Sequence, residues 1–297
     1  MTTENSRAVA SFLGLAIGDA LGAPVEFELP GSFEPVVDYR SGGPWNLPRG
    51  YWTDDTSMAI CLAESIIACN RINPVDLMQR FCRWFQQGEN SSTGTCFDIG
   101  NTTVQALRRY LHSGSYEPAR NLEYLSGNGS IMRLSPVAVR WWNQPDVLED
   151  TAIAQSVVTH GSDECVRCCR ELAALLGAAI RGEPVHQSLQ QWASSITSNE
   201  VSNSGRAVDT FSAAKWAVGS SNNFSSAVLA AVNLGGDSDT IGAVAGQLAG
   251  AIWGMESIPQ AWVDDLYQNQ KLLSLAQQLW EKSIKSSVAA QSSSFLS

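Results

Sequence analysis

An all-α fold in one large domain is what this sequence predicts. Apolar residues recur at helical spacing in run after run, alternating strand patterns are nearly absent, and no Pro/Ser-rich linker or charge block divides the 297 residues. A hydrophobic content of 44% is enough for a sizeable core. The expected domain spans residues 1–285, and the Ser-rich stretch 286–297 is expected to be a flexible C-terminal tail.

The helices follow in order. Residues 8–21 are apolar nearly all round, with Phe12, Leu13, Ala16, Ile17, Ala20 and Leu21 at helical spacing, which suggests a central helix. Residues 56–69 repeat the pattern. Asn73 as N-cap with Pro74 in the first turn opens a third helix that turns Leu77, Phe81, Trp84 and Phe85 inward. Further helical runs read as 98–111, 146–158, 163–180, 206–218, 225–234, 240–253 and 271–283. Gly242, Gly246, Gly250 and Gly254 leave one helical stripe without side chains, so a neighbouring helix can approach closely there. Residues 30–51, rich in Gly, Pro and polar groups, are too long for a simple connector and read as a functional surface loop.

Composition narrows the function. A net charge of -10 and a pI near 4.8 argue against a nucleic-acid footprint, which needs Lys and Arg gathered on one face. Residues 1–7 are polar and lack the features of a secretory signal, so the cytoplasm is the expected compartment. Seven cysteines, an odd number lying mostly on apolar helical faces, fit unpaired thiols in a reducing setting. Cys165, Cys168 and Cys169 lack a second ligand pair and read as packing. The closest thing to a membrane span, residues 241–253, is too short and carries Gln247.

Two acidic segments stand far apart in the chain: Thr53-Asp54-Asp55-Thr56 and Gly235-Gly236-Asp237-Ser238-Asp239-Thr240, each ahead of a helical run. Either one alone has a capping explanation. Capping, however, needs a single side-chain oxygen, and each segment offers two carboxylates and a Thr, while the twin glycines permit close backbone approach. If the segments meet, their carboxylates require a compensating positive charge. An all-oxygen set selects hard ions such as Mg²⁺ or Mn²⁺ over zinc.

These segments join others in a recognisable order: Gly18-Asp19-Ala20-Leu21-Gly22-Ala23-Pro24-Val25-Glu26, Trp52 with the first acidic segment, Gly127-Asn128-Gly129-Ser130-Ile131-Met132-Arg133, Thr159-His160-Gly161, and the second acidic segment through Gly242. In order and spacing they resemble the ADP-ribosylglycohydrolases over roughly residues 8–255. Ser92-Thr93-Gly94-Thr95-Cys96-Phe97-Asp98-Ile99-Gly100-Asn101 looks most like the dinitrogenase reductase-activating glycohydrolase branch, which removes ADP-ribose from arginine. The resemblance implies a compact single-domain orthogonal helical bundle with a binuclear site at helix N-termini. Two Mg²⁺ or Mn²⁺ ions would be held by Thr53, Asp54 and Asp55 on one side and Asp237, Asp239 and Thr240 on the other.

It further implies hydrolysis of the N-glycosidic bond of ADP-ribosylated arginine, on a protein or a small conjugate, by an enzyme expected to act as a monomer. Glu26 would activate water or gate the loop at the mouth; otherwise it is an ordinary surface Glu. Asp98 would hold the acceptor guanidinium, with Asn101 on the same face, or else cap the helix that follows. Gly127, Asn128, Gly129 and Ser130 would begin a helix whose N–H groups take a diphosphate, or simply make a turn. Met132 belongs to that motif, and His160 would touch the phosphates or ribose, or else be a core or capping histidine. Asp19 is expected to fix its loop against nearby N–H groups. Tyr51, Trp52 and Tyr124 either stack on adenine or pack. The alternatives are a non-catalytic ADP-ribose binder, or a hydrolase of another linkage such as O-acetyl-ADP-ribose.

Overall fold

The first helix, α1 (Thr3–Gly22), is buried along almost its whole length and forms the centre of the molecule. The computed structural model describes residues 2–116 and 126–294, with side chains as far as Ile284. Tyr124 lies outside the described residues. Around α1 are arranged α2 (Asp54–Cys69), α3 (Pro74–Gln87), α4 (Asn101–Ser113), α5 (Ser135–Trp141), α6 (Pro145–Val157) and α7 (Asp163–Ile180). Then follow α8 (Val185–Ala193), α9 (Ala207–Gly219), α10 (Phe224–Val232), α11 (Ser238–Trp253), α12 (Gln260–Asp265) and α13 (Asn269–Ser294). Among the described residues no strand forms, only the isolated bridges Gly42–Leu47 and Gly127–Arg206.

The main contact is antiparallel, α1 against α11. Gly14 and Gly18 face Gly246 and Gly242, and Gly250 faces Ala10; a Cβ on any of these glycines would overlap the opposing backbone carbonyl. The glycine stripe expected on α11 therefore has a matching stripe on α1. This packing brings the C-terminal end of α1, with Asp19, beside the N-terminal end of α11, with Asp239. By length and hydropathy, residues Thr3–Val25 and not 241–253 come nearest to a membrane span, and 94% of that window is buried inside the fold as core.

The local rules hold at α3, where the Asn73 side chain accepts from the N–H groups of Val75 and Asp76 and Pro74 occupies the first turn. Two short helices, α8 and α12, were not expected. Two helix starts also differ from expectation. α4 begins at Asn101 with Gly100 as N-cap, because Asp98 sits at φ 56, outside helical space. The stretch 127–134 is a turn, with Asn128 O accepting from the N–H groups of Ile131 and Met132, and the helix starts at Ser135 with Pro136 in its first turn. α13 continues past Ser286, where a frayed tail is expected, to Ser294.

The loop 30–51 is pinned to the body by Arg49, which pairs with Asp38 at 2.8 Å and Asp265 at 2.9 Å. None of the seven cysteines forms a disulfide; five are buried and two half-buried. Burial pushes the Cys165 and Cys168 thiols up to about 12, which makes them inert packing groups.

Candidate metal centre

The two acidic segments converge. The N-terminal ends of α2 and α11 meet at the floor of a cavity of about 780 Å³ bordered by Glu26, Asp54, Asp98, Asp237, Asp239 and Thr240. Thr53 and Asp55 lie just behind them, fully buried. Neither N-cap residue, Thr53 or Asp237, makes a side-chain capping bond to its helix, so capping does not account for the clusters.

Asp19 anchors the arrangement. Its carboxylate accepts from the backbone N–H and hydroxyl of Thr53 at 2.8 and 2.9 Å and from those of Thr56 at 3.0 and 2.6 Å. One carboxylate thus holds the first turn of α2, as the sequence suggested for its loop. On the other side, Phe27 N–H donates to Gly236 O at 2.7 Å and Gly236 N–H to Glu28 O at 2.8 Å. Gly235 and Gly236, both at φ 63, allow this clamp, which ties Glu26 to the segment bearing Asp237.

The hydrogen-bond inventory does not close on protein atoms alone. Thr53 Oγ1 lies 2.9 Å from Asp19, 3.0 Å from Asp239 and 3.2 Å from Asp55, yet it has one proton to give. Asp55 Oδ1 and Asp239 Oδ1 are buried with no partner at all. Oxygens of Asp19, Asp55 and Asp239 fall within 4.8 Å of one another, as do those of Glu26, Asp98 and Asp239. Such a set fits a hard divalent cation, which fills orphaned lone pairs and offsets the like charge.

The electrostatics agree. Burial first, then Asp239, raises Asp54 and Asp55 well above the carboxylate range. Asp237 is pushed up to about 8 by burial and Asp239, against a short bond from the Asn128 amide at 2.5 Å. Asp239 is raised by burial and by Asp19, and Asp98 by burial and by Asp239. Glu26 is buried rather than on the surface, and burial with Asp239 pushes it up to about 10, although Trp45 Nε1 donates to its Oε2 at 2.7 Å.

The wall also includes Asn101, Gly127, Asn128, Gly129, Met132 and His160. Ser130 is the exception: it turns into the core, where Ser156 and Cys169 meet its hydroxyl. Gly129 is required by His160, since a Cβ there would lie 2.7 Å from the imidazole. Thr159 Oγ1 accepts from Arg133 at 2.8 Å and lies 2.8 Å from His160 Nδ1. With the hydroxyl proton given to Nδ1, which satisfies both groups, the ring hydrogen sits on Nε2. Burial, with Arg133 nearby, lowers His160 to about 3 and keeps it neutral. Tyr51 stacks on Tyr267 at 4.1 Å and Trp52 is fully buried, so both pack.

Sequence reasoning did not find Trp45, Thr159 or the buried Arg133 as parts of the site. Trp45 sits in a loop without periodicity, and its only local signal was the length of that loop. Arg133 and Thr159 stood in the quoted motifs, but their connection through the core is not visible in one dimension.

The family model for ADP-ribosylglycohydrolases matches residues 1–288. The chain is 40% identical to an ADP-ribosylarginine hydrolase Tri1 of Pseudomonas putida (strain GB-1), covering 93% of this chain and 78% of the relative. It is 32% identical to the ADP-ribosyl-[dinitrogen reductase] glycohydrolase of Rhodospirillum rubrum, covering 88% and 90%. A solved structure described as an ADP-ribosylglycohydrolase-related protein complex superposes with a TM-score of 0.83 at 37% identity, over 95% of this chain and all of that one. With a helical bundle that gathers the acidic segments at one cavity, and with these matches along nearly its full length, this chain belongs to the ADP-ribosylglycohydrolase family.

Proposed function

We propose that this protein hydrolyses the N-glycosidic bond between ADP-ribose and arginine, with two divalent ions, Mg²⁺ or Mn²⁺, at the floor of the cavity. The observation that carries the reading is the convergence of Thr53, Asp54, Asp55, Asp237, Asp239 and Thr240 around carboxylate oxygens left without partners. The names of the Pseudomonas and Rhodospirillum relatives support the arginine linkage. Held by those six residues, the ions would supply Lewis acidity at the distal ribose and offset the carboxylate charge.

The chain's own groups have separable tasks. Glu26, with Oε2 engaged by Trp45, would take a proton from the attacking water at Oε1 once bound cations offset the Asp239, Asp237 and Asp54 charge that otherwise helps to keep it protonated. The water oxygen bonds to C1 of the ribose, the C–N bond breaks with its electron pair going to the guanidine nitrogen, and that nitrogen gains the proton. Asp98, beside Glu26 and Asp239, receives the guanidinium in paired hydrogen bonds. Asn128 bonds to both Asp237 and Thr210, which fixes the second acidic segment against the wall. His160 Nε2–H offers a neutral donor to the ADP-ribose moiety without adding charge. A reducing compartment such as the cytoplasm suits a chain whose cysteines form no disulfide.

The test is release of ADP-ribose from a panel of arginine-, serine- and DNA-linked conjugates and O-acetyl-ADP-ribose, run with Mg²⁺ or Mn²⁺ and after chelation. Metal-dependent release from the arginine conjugate is expected, with bound metal and turnover both lost in Asp239→Ala. Tight binding of ADP-ribose without release from any conjugate would make the protein a binder and not an enzyme.

A further inference from the structure

We propose that Phe27 and Trp45 form an aromatic pair at the cavity mouth that takes the guanidinium-bearing acceptor side chain and delivers it to Asp98. The proposal rests on the arginine reading and adds to it the residues that would select the acceptor. Both residues border the same cavity as Asp98, and both reach solvent, Phe27 with 65% of its surface exposed and Trp45 with 36%.

Phe27 is hard to explain otherwise. It stands at φ 66, a conformation that a bulky L residue rarely holds. The backbone bonds that fix it there, from Phe27 N–H to Gly236 O and from Gly236 N–H to Glu28 O, would serve a glycine equally well and without strain. The ring adds little packing in return, since most of it faces water. A strained, exposed aromatic retained at the edge of a site points to a use for its face.

Trp45 is positioned by different means. Its Nε1–H is spent on Glu26 Oε2 at 2.7 Å, and its ring packs at 5.6 Å, tilted by 55°, on Phe97, the residue before Asp98. The polar edge is thereby turned toward Glu26, and the residue borders the cavity. A guanidinium stacks on aromatic faces while keeping its in-plane N–H groups for a carboxylate, so aromatic walls leading to Asp98 match it better than a compact ammonium or a neutral hydroxyl. Among the described residues the lining includes Glu26, Asp54, Asp98, Asp237 and Asp239 but no Lys or Arg, which also favours a cation.

The experiment uses the full chain with Mn²⁺ and a short peptide bearing ADP-ribosylarginine. Phe27→Gly should raise KM by about five- to tenfold while its melting temperature stays at or above that of wild type, because glycine relieves the φ. Trp45→Leu should raise KM similarly, whereas Trp45→Phe, which keeps an aromatic face but not the bond to Glu26, should retain most of the affinity for the conjugate. Calorimetry should find the affinity for free ADP-ribose, which lacks the acceptor, unchanged in Phe27→Gly. An unchanged KM in Phe27→Gly, or equal defects in Trp45→Phe and Trp45→Leu, would overturn the proposal. So would a KM defect confined to intact protein substrates, which would make the rim a protein-docking surface. If wild type itself releases nothing from the arginine conjugate, the proposed activity fails, and the acceptor pair with it.

Discussion

Asp19 and His160 carry opposite lessons about buried polar residues. The Asp19 carboxylate accepts from four donors, two of them backbone N–H groups at the start of α2. An amide in its place would keep the shape but turn an NH₂ toward one of those pairs; the Thr hydroxyl can rotate and accept, the backbone N–H cannot. Asp19→Asn is therefore expected to cost about 2–3 kcal/mol, the desolvation of a stranded donor plus the lost charge assistance. Urea unfolding should register this as a lower midpoint at unchanged slope. His160 is held neutral by burial and by the chain from Arg133 through Thr159, so nitrogen-resolved NMR should find the Nε2–H tautomer persisting well below pH 6. With its folded value lowered to about 3, the unfolded chain binds the extra proton first, and His160's contribution to stability declines as pH falls from about 6.5 toward 3. Thr159→Val, which leaves both the guanidinium and Nδ1 without this partner, should free the ring and weaken ADP-ribose binding.

The α1–α11 pair is the element on which the site is built. Its backbones touch at Gly14, Gly18, Gly242, Gly246 and Gly250, where an added Cβ meets backbone and not a flexible side chain. Gly246→Ala should therefore cost about 3 kcal/mol or more, the upper range for overpacking, whereas Gly100→Ala, at an N-cap with open space around it, should cost about 1 kcal/mol or less. Circular dichroism melts of the two variants compare them directly, and metal affinity should fall in Gly246→Ala because the same packing sets Asp19 against Asp239. Much of this was legible in one dimension: long apolar periods mark α1, α2 and α11, and a glycine every fourth residue announced close approach on α11. The partner stripe was harder to see because Gly14, Gly18 and Gly22 lie within the apolar run that already explained α1. Short helices such as α8, nine residues long, give a period too few repeats to register. The start of α4 was placed too early, at Asp98, because an Asp ahead of an apolar period suits an N-cap locally, whereas the residue stands at φ 56 with a carboxylate oxygen close to those of Glu26 and Asp239. The acidic segments were legible as a pair only because two carboxylates at each helix start exceed what capping uses.

At the scale of the whole molecule, the site concentrates like charge in a buried floor, and that gives the protein a pH dependence that metal suppresses. Free of cations, Asp19 is pushed up to about 6, Asp237 to about 8 and Glu26 to about 10, with Asp54, Asp55, Asp98 and Asp239 raised as well. In the unfolded chain these groups ionise near pH 4. Above that pH the folded, metal-free protein keeps protons that the unfolded chain has released, so stability is greatest at low pH on this account and is lost as pH rises through the folded values. Each retained proton corresponds to about 1.4 kcal/mol per pH unit over its window. Protein treated with EDTA should accordingly show a melting temperature that falls between pH 5 and pH 9 (roughly the window these groups span), the opposite sign to the His160 effect at acid pH. With excess Mn²⁺ or Mg²⁺ the decline should flatten, because the cation takes the place of the protons. The same exchange predicts that metal binding at pH 7 releases protons, measured as a dependence of the calorimetric enthalpy on the ionisation enthalpy of the buffer. A metal titration with no buffer dependence, together with a flat melting profile in EDTA, would mean that the carboxylates stay ionised without a cation. The cluster would then be charged, buried and stable by itself, which the orphaned oxygens of Asp55 and Asp239 give no means to achieve.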